Sequence, residues 1–160
     1  MMIERTLVLM KPDAVRRGLT GEILTRFERA GLKVVGMKMV WADRNFLKKH
    51  YDAHVDKKFY KSLENYIVNG PVVAAVIEGV EVIGVVRKMC GDTEPKKALP
   101  GTIRGDFTHH SYGHVDPKGT AIKNVIHASG SKQEAEKEVK LWFDKDELHT
   151  YSRADEDEHY

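Results

Sequence analysis

Residues 70–79, GPVVAAVIEG, decide the fold class of this chain. Residues 72–78 are nearly all apolar, which is typical of a strand that is covered on both faces of its sheet. The Asn-Gly-Pro sequence at 69–71 ends a preceding helix, and Gly79 separates the strand from a helical stretch over 80–89. The segment therefore predicts the central strand of a sheet on which helices pack.

On the N-terminal side of this strand, the pattern predicts two strands and three helices. Short apolar runs indicate strands over 5–10 and 32–41. Between them, a helix is expected over 20–31, capped by its threonine and ended by its glycine. Helical spacing indicates two more helices, over 45–54 and 59–68.

On the C-terminal side, residues 120–128 predict a strand, and Ser131 with Glu134 forms a capping box that opens a helix. Regular structure is expected to end near residue 144, and the polar tail over 148–160 is expected to be loosely held and solvated. The order β-α-β-α-α-β-α-loop-β-α predicts an α/β (α+β) sandwich. Its core would be a ferredoxin-like, antiparallel four-stranded sheet with helices packed on it.

Length and composition limit the classes of function. The 160 residues are expected to form one domain over 1–160. Because 26 Lys and Arg nearly balance 24 Asp and Glu, dedicated nucleic-acid binding is disfavoured. No apolar run approaches the ~18–20 residues that cross a bilayer, so no membrane association is expected. Cys90, the one cysteine, cannot form an internal disulfide, and no signal-peptide pattern is present, so a cytoplasmic location is expected.

Several cationic and hydrogen-bonding residues lie where regular structure breaks. They are Lys11 beside a proline, Arg87 near a helix end, Thr93, and Arg104 in PGTIRGD. Arginine offers a planar fork to phosphate oxygens and lysine a point charge, so these residues suit a phosphate ligand even without a GxGxxG or P-loop motif. The alternative is that Arg104 and Asp106 only tie a glycine-rich loop together.

His127 ends an apolar strand directly before the capped helix, a position where free backbone N–H groups favour anions. Glu138 lies inside that helix, where its carboxylate can fold back to orient a ring nitrogen of the histidine. The alternative for a single histidine on an apolar strand is a core residue with a satisfied hydrogen bond.

Four segments closely resemble those of the nucleoside diphosphate kinase family, in the same order and at similar spacings. They are TLVLMKPDAVRRGLTGEI over 6–23, GPVVAAVIEG over 70–79, PGTIRGDF over 100–107 and NVIHAS over 124–129. The resemblance covers residues 3–143 and favours the functional interpretation of His127. It implies a ping-pong reaction in which the γ-phosphate of a nucleoside triphosphate moves to His127 and then to a nucleoside diphosphate.

The resemblance also implies a role for each residue that matches a family motif. The residues that would act at the transferred phosphate are His127 as nucleophile, Lys11, Tyr51 beside the histidine, and Ser129 and Glu138 in support. The residues that would bind the nucleotide are Phe59 and Leu63 at the base, Lys11 and Asn124 at the sugar, and Arg87, Thr93 and Arg104 at the phosphates.

The partners that the resemblance implies are ribo- and deoxyribonucleoside triphosphates and diphosphates. Mg²⁺ is expected as cofactor, held by nucleotide phosphates and water rather than by a dedicated protein site. Assembly into a homo-oligomer is expected, most often a hexamer built from dimers. The alternative function is a nucleotide-binding regulatory or interaction protein that uses the same pocket, although such a protein would not need the nucleophile.

The chain departs from the family pattern at two places near the site. Ala-Ser-Gly at 128–130 lacks an acidic residue that the family commonly has, so helix capping is expected to pass to Ser131. The link over 108–123 is longer than usual and is expected to form a loop insertion that flanks the base side of the pocket or contacts another subunit. Either Ala121 or Ile122 would then face the base opposite the phenylalanine.

Two further groups of residues are given structural interpretations. An exposed polar loop is favoured over a metal site for His109, His110 and His114, because no cysteine accompanies them. Core or subunit packing is expected for Met37, Met39 and Trp41, which alternate on one face of the second strand.

Overall fold

The computed structural model describes residues 2–160. It contains a four-stranded sheet of β1 (Ile3–Met10), β2 (Lys33–Val40), β3 (Val72–Val80) and β4 (Ile126–Ala128). The strand order is β2-β3-β1-β4, and every neighbouring pair is antiparallel. The ferredoxin-like sheet is therefore confirmed, and β3 lies inside it as predicted.

Eight α-helices lie within the described residues. They are α1 (Pro12–Arg16), α2 (Thr20–Arg29), α3 (Arg44–His50), α4 (Tyr60–Ile67), α5 (Val82–Cys90), α6 (Ile103–Phe107), α7 (Tyr112–Val115) and α8 (Lys132–Trp142). Within residues 2–160, none of them has the length and apolar character needed to span a membrane.

Helices cover both faces of the sheet. Successive side chains of β1 point to opposite faces, so Val8 and Met10 enter one core while Leu7 and Leu9 enter the other. The first core also contains buried residues of α2 and α5, and the second contains buried residues of α3, α4 and α8. This arrangement leaves the strand ends, rather than the sheet faces, available for a site.

β4 is shorter than the sequence predicts, and the predicted strand over 120–125 is wrong. The cause is Val125, whose φ of +61° lies in the left-handed region that a β-branched residue rarely adopts. Around Val125 the chain makes a tight turn in which the Ile126 N–H donates to the carbonyl oxygen of Asn124 at 2.7 Å. Strand pairing therefore begins only at Ile126.

Two local predictions near the N-terminus are also wrong. The sequence indicates a break in regular structure at Lys11, but the chain forms α1 directly after it, because Pro12 occupies a first-turn position whose N–H needs no partner. The sequence predicts Thr20 as the cap of the next helix. The structure has Leu19 in that place, and no side chain caps α2.

The tail over 148–160 is docked on the body, so the prediction of a loosely held segment is wrong. The Arg153 guanidinium donates to the carbonyl oxygen of Leu32 at 3.0 Å. The buried ammonium of Lys33 pairs with the Glu156 carboxylate. These contacts cover the start of β2 with polar partners that the sequence pattern does not reveal.

The far end of β2 and the residue that follows it expose an apolar row. Met37, Met39 and Trp41 are 56%, 63% and 69% exposed. Core packing is therefore wrong for these three residues, and subunit packing remains as their predicted role.

The insertion over 108–123 is an ordered loop that contains α7, whose Val115 is buried. Its hydrogen bonds include Thr108 Oγ1 to the Lys123 carbonyl oxygen at 3.1 Å, Lys96 N to the His110 carbonyl oxygen at 3.0 Å, and Tyr112 N to Glu94 Oε1 at 2.9 Å. The last two join the insertion to the segment that follows Thr93.

Candidate active site

His127 lies on β4 opposite Leu9 of β1, and its side chain is 19% exposed. Its Nε2 lies 3.1 and 3.0 Å from the two carboxylate oxygens of Glu138. The Ser129 hydroxyl donates to Glu138 Oε2 at 2.6 Å and accepts the Leu7 N–H at 3.2 Å. The histidine, the carboxylate and the serine therefore form one connected chain of hydrogen bonds.

The start of α8 fixes where Glu138 enters this chain. Ser131 Oγ accepts the Glu134 N–H at 3.2 Å, as the predicted cap requires. The Glu134 carboxylate accepts the N–H of Gly130 at 2.8 Å, so the reciprocal half of the predicted capping box is displaced by one residue. A Cβ at Gly130 would lie 2.7 Å from an oxygen of that carboxylate, so glycine permits the close approach and a larger residue would make the flexible Glu134 side chain move.

Two opposing effects set the charge of Glu138. Burial would raise the pKa of its carboxyl group, but hydrogen bonds from His127 and Ser129, together with the nearby imidazoles, lower the pKa below its ordinary value. The group is therefore an anion at neutral pH. An anion accepts from the histidine, so the Nε2 proton faces Glu138 and the Nδ1 lone pair remains free.

Lys11 follows β1 and is buried beside the end of β4. Its Nζ donates to Asn124 Oδ1 at 2.7 Å, while Asn124 Nδ2 donates to the Thr93 carbonyl oxygen at 2.9 Å. Burial and the charge of Arg104 lower the pKa of Lys11 to about 8, against the opposing effect of Asp13. The ammonium group therefore loses its proton more easily than that of an exposed lysine.

Arg104 is also buried, and its guanidinium binds three backbone carbonyl oxygens. These are the oxygens of Gly91 at 2.8 Å, Asn124 at 3.3 Å and Ile126 at 2.7 Å. Burial lowers the pKa of Arg104. Two of its partners belong to the segment that carries the histidine, so Arg104 holds that segment in place and brings positive charge beside it.

The remaining residues predicted to bind nucleotide lie at the rim. Arg87 and Thr93 are exposed, and Arg87 lies near Gly130 at the start of the α8 turn. Phe59 is 51% exposed, and Leu63 is partly buried one turn further along α4. The structure therefore separates a buried centre around the histidine from an open rim.

Aromatic rings connect the rim with the centre. Tyr51 is buried, and its ring centroid lies 6.2 Å from that of His127. On the other side, the Tyr51 ring lies 6.4 Å from His54, whose ring lies 5.6 Å from Phe59. Burial raises the pKa of Tyr51, so its hydroxyl stays protonated and able to donate.

Sequence reasoning missed two polar residues of the centre. Asp13 is buried, and its carboxylate accepts the Val125 N–H and the Tyr66 hydroxyl. His50 is buried with its ring 4.8 Å from that of His127. The sequence offers little signal for them: Asp13 follows a predicted strand and His50 lies within a predicted helix, and neither position names a partner.

Within residues 2–160, His50, His127 and Glu138 form the one group of three or more His, Cys, Asp or Glu residues close enough to share an ion. The nitrogen of His127 that faces Glu138 is occupied by that hydrogen bond, and Nδ1 of His50 accepts from Trp142. One nitrogen of each histidine is therefore already bound by a neighbouring side chain. The histidines of the insertion do not converge in this way.

Comparison with known proteins places this geometry in a family. The family model described as nucleoside diphosphate kinase matches residues 4–148. The nucleoside diphosphate kinase of Borreliella burgdorferi is 50% identical over 165 residues, which covers 100% of this chain and 99% of that protein. The nucleoside diphosphate kinase of Pyrococcus furiosus is 55% identical over 152 residues, covering 95% and 90% of the two chains.

Solved structures agree with the sequence matches. A transition state mimic of the Borrelia burgdorferi nucleoside diphosphate kinase with bound vanadate and ADP has a TM-score of 0.96 at 50% identity, over 99% of this chain and 97% of that one. A halophilic nucleoside diphosphate kinase from Halobacterium salinarum in complex with CDP has a TM-score of 0.88 at 42% identity, over 99% of both chains. In sequence and in fold, this chain belongs to the nucleoside diphosphate kinase family.

Proposed function

We propose that the chain transfers the γ-phosphoryl group of a nucleoside triphosphate to Nδ1 of His127 and then to a nucleoside diphosphate. One observation carries the proposal: Glu138 binds Nε2 of His127, so the lone pair is on the other ring nitrogen of a side chain that is 19% exposed. A neutral imidazole nitrogen is a nucleophile near pH 7. A protein that only binds nucleotide has no use for this arrangement, so the regulatory alternative is not favoured.

In the first half-reaction, the Nδ1 lone pair forms a bond to the γ-phosphorus. The bond between this phosphorus and the β,γ-bridging oxygen breaks, and its electron pair leaves with the nucleoside diphosphate. The Nε2 proton stays on the ring, and the anionic Glu138 offsets the positive charge that develops there. The second half-reaction is the reverse with a different diphosphate, so the bonds made and broken are of the same kind.

The cations around the histidine suit a loose transition state, which needs positioning and charge neutralisation. We assign Lys11 to the transferred phosphate and the sugar hydroxyl, with Asn124 orienting it. Arg104 supplies charge from within the protein, while the exposed Arg87 and Thr93 approach the outer phosphates from the rim.

For the base, we assign Phe59 as the stacking platform with Leu63 beside it. Stacking on an aromatic ring accepts any base, because every base has a π-face. Of the two candidates for the opposite side, we assign Ala121. It packs against the same apolar cluster as Leu63, and Ile122 is not part of that cluster.

We assign Mg²⁺ as the cofactor, bound to the phosphates of the incoming nucleotide and to water. Mg²⁺ prefers oxygen ligands, whereas the one ion-sized cluster of the described residues offers two imidazoles and a single carboxylate, which is already bound to His127. The cationic phosphate site fits a metal that arrives with the nucleotide. When bound, it neutralises part of the phosphate charge.

We further propose a homo-oligomer, a hexamer built from dimers, located in the cytoplasm. The support for assembly is the exposed apolar row of Met37 and Met39 on the edge strand β2 and Trp41 directly after it, because exposed apolar patches at such edges suit contact with another chain. Light scattering at micromolar concentration tests it, since a species of 18.2 kDa would contradict assembly. The free, buried thiol of Cys90 suits a reducing compartment.

The test of the function is direct labelling of the enzyme. After mixing with γ-labelled ATP and Mg²⁺, we expect an acid-labile, base-stable phosphoenzyme in the wild type and none in His127→Ala. His149→Ala is the matched control, because it removes an exposed imidazole of the tail. Labelling that survives in His127→Ala would show that the nucleophile lies elsewhere.

A further inference from the structure

Glu138 has two histidine neighbours, although only one of them can be the nucleophile. Its Oε1 lies 3.1 Å from Nε2 of His127 and 3.9 Å from Nδ1 of His50. The two imidazole rings are nearly perpendicular, at 81°, and the His50 side chain is completely buried. The two rings therefore face the same carboxylate from different sides.

The tautomer of His50 decides whether it competes for that carboxylate. The indole N–H of Trp142 donates to Nδ1 of His50 at 3.1 Å. Two N–H groups cannot face each other at this distance, so Nδ1 carries the lone pair and Nε2 carries the proton. This tautomer is maintained even though Nε2 finds no acceptor among residues 2–160.

We propose that Trp142 is a positioning residue for the nucleophile: by holding His50 in the Nε2–H tautomer, it reserves Glu138 for His127. The inference rests on the phosphohistidine mechanism proposed above. Trp142 touches neither the reacting atoms nor the nucleotide in this scheme. It acts through His50, whose Nδ1 lies 3.9 Å from Glu138 Oε1 and would otherwise be free to carry an N–H that competes with His127 for this carboxylate.

The charges around His50 favour the same state. Burial, followed by the charge of His127, lowers its pKa to about 3, with smaller contributions of the same sign from Lys11 and Lys137, while Glu138 opposes them. The Tyr51 ring packs edge-on against the His50 ring, with 4.4 Å between their centroids, and the Tyr51 hydroxyl stays neutral. His50 therefore stays uncharged throughout the working range.

Removing the indole N–H changes this balance. Nδ1 of His50 can then carry a proton and donate a hydrogen bond to Glu138. This bond draws the carboxylate away from His127. A protonated His50 would also place a positive charge beside a ring that gains positive charge during phosphorylation. A change of tautomer in the neutral ring does not depend on pH, whereas the protonated form of His50 grows as the pH falls, so the loss of rate is expected to be largest on the acid side.

The experiment measures single-turnover phosphorylation of His127 by ATP as a function of pH in the full-length enzyme. Trp142→Phe keeps an aromatic ring but loses the donor, and we expect a loss of about tenfold at pH 6 that shrinks towards pH 8. The double variant Trp142→Phe/His50→Phe has no competing nitrogen and is expected to recover most of the rate. Phe46→Leu is the control for loosened packing, because the Phe46 and Trp142 ring centroids lie 4.7 Å apart. It keeps the indole N–H and should keep the wild-type pH profile.

A second measurement does not depend on how the variants fold. In the wild type, ¹⁵N-labelled histidine should report His50 with Nδ1 unprotonated and Nε2 protonated down to about pH 4. A protonated Nδ1, a wild-type pH profile in Trp142→Phe, or an acid loss that persists in the double variant would overturn the inference. Failure of the wild type to form phosphohistidine at all would instead overturn the proposed function.

Discussion

Asp13 and Val125 are joined by a hydrogen bond although 112 positions separate them in the chain: the Val125 N–H donates to Asp13 Oδ2 at 3.2 Å. Val125 has a φ of +61°, a conformation that costs on the order of 1–3 kcal/mol. The other carboxylate oxygen accepts the hydroxyl of Tyr66. A buried carboxylate at the start of α1 thus stabilises a strained residue two positions before His127.

We expect Asp13→Ala to lower the free energy of unfolding by about 2–3 kcal/mol, because it removes hydrogen bonds to a buried charge. It should also slow the phosphorylation of His127, since the strained backbone at Val125, two positions before the histidine, can then relax. Urea unfolding and single-turnover labelling measure the two effects. Asp116→Ala, at an exposed site of the insertion, is the control and should change stability by less than about 0.5 kcal/mol. A stable Asp13→Ala enzyme with full activity would contradict the role assigned to this bond.

The lowered pKa of Lys11 predicts that kcat/KM falls at alkaline pH. Its pKa is lowered to about 8, so the ammonium group loses its proton as the pH rises through this value, and the positive charge at the phosphate disappears. We expect kcat/KM, which reports the free enzyme, to fall over that range. Lys11→Arg keeps its charge and should give a lower but flat profile there. A wild-type kcat/KM that stays constant well above this pH would rule out a required Lys11 ammonium.

Arg104→Ala is expected to reduce kcat by about 10²–10³ and to weaken nucleotide binding much less, because charge near the moving phosphoryl group acts in the transition state. The variant should also be less stable, since the carbonyl oxygens of Gly91, Asn124 and Ile126 lose their donor. Arg104→Lys should not restore either property, because one ammonium group cannot reproduce the planar fork. Steady-state kinetics and thermal unfolding separate the two effects, and a change confined to KM would assign Arg104 to ground-state binding.

The parts of the fold that the sequence predicts are those set by local pattern. The apolar run of β3, the order of the elements and the Ser131 cap follow from periodicity and capping rules. The relation of His127 to Glu138 was predictable for the same reason, because each lies in a regular element and the cap fixes where α8 begins.

The parts that the sequence does not predict depend on contacts between distant segments. The left-handed turn at Val125 is maintained by Asp13, and the Nε2–H tautomer of His50 depends on Trp142. Polar residues of the tail look solvated in the sequence, yet Arg153 finds its partners on the β2 side of the body. In each case the partner is selected by the tertiary structure.

The insertion offers the last prediction, because its contacts lie on the phosphate side of the site. The Glu94 carboxylate accepts the Tyr112 N–H at 2.9 Å and pairs with Lys97 at 2.8 Å, directly after Thr93. Replacing residues 109–122 by a short link removes the first of these contacts and the contact between Lys96 and His110. It also removes Ala121, which we assign to the base.

We expect the shortened enzyme to phosphorylate His127 with a normal rate at saturating ATP but to need several-fold more nucleotide. The histidine is supported by Glu138, Ser129 and β1, none of which the insertion contacts through these bonds. Glu94→Ala is the matched point variant, since it frees the same segment while leaving Ala121 in place, and it should reproduce only part of the loss of affinity. Nucleotide titrations of the labelling rate give both quantities. A folded, shortened enzyme that cannot phosphorylate His127 even at saturating ATP would place the insertion within the catalytic apparatus.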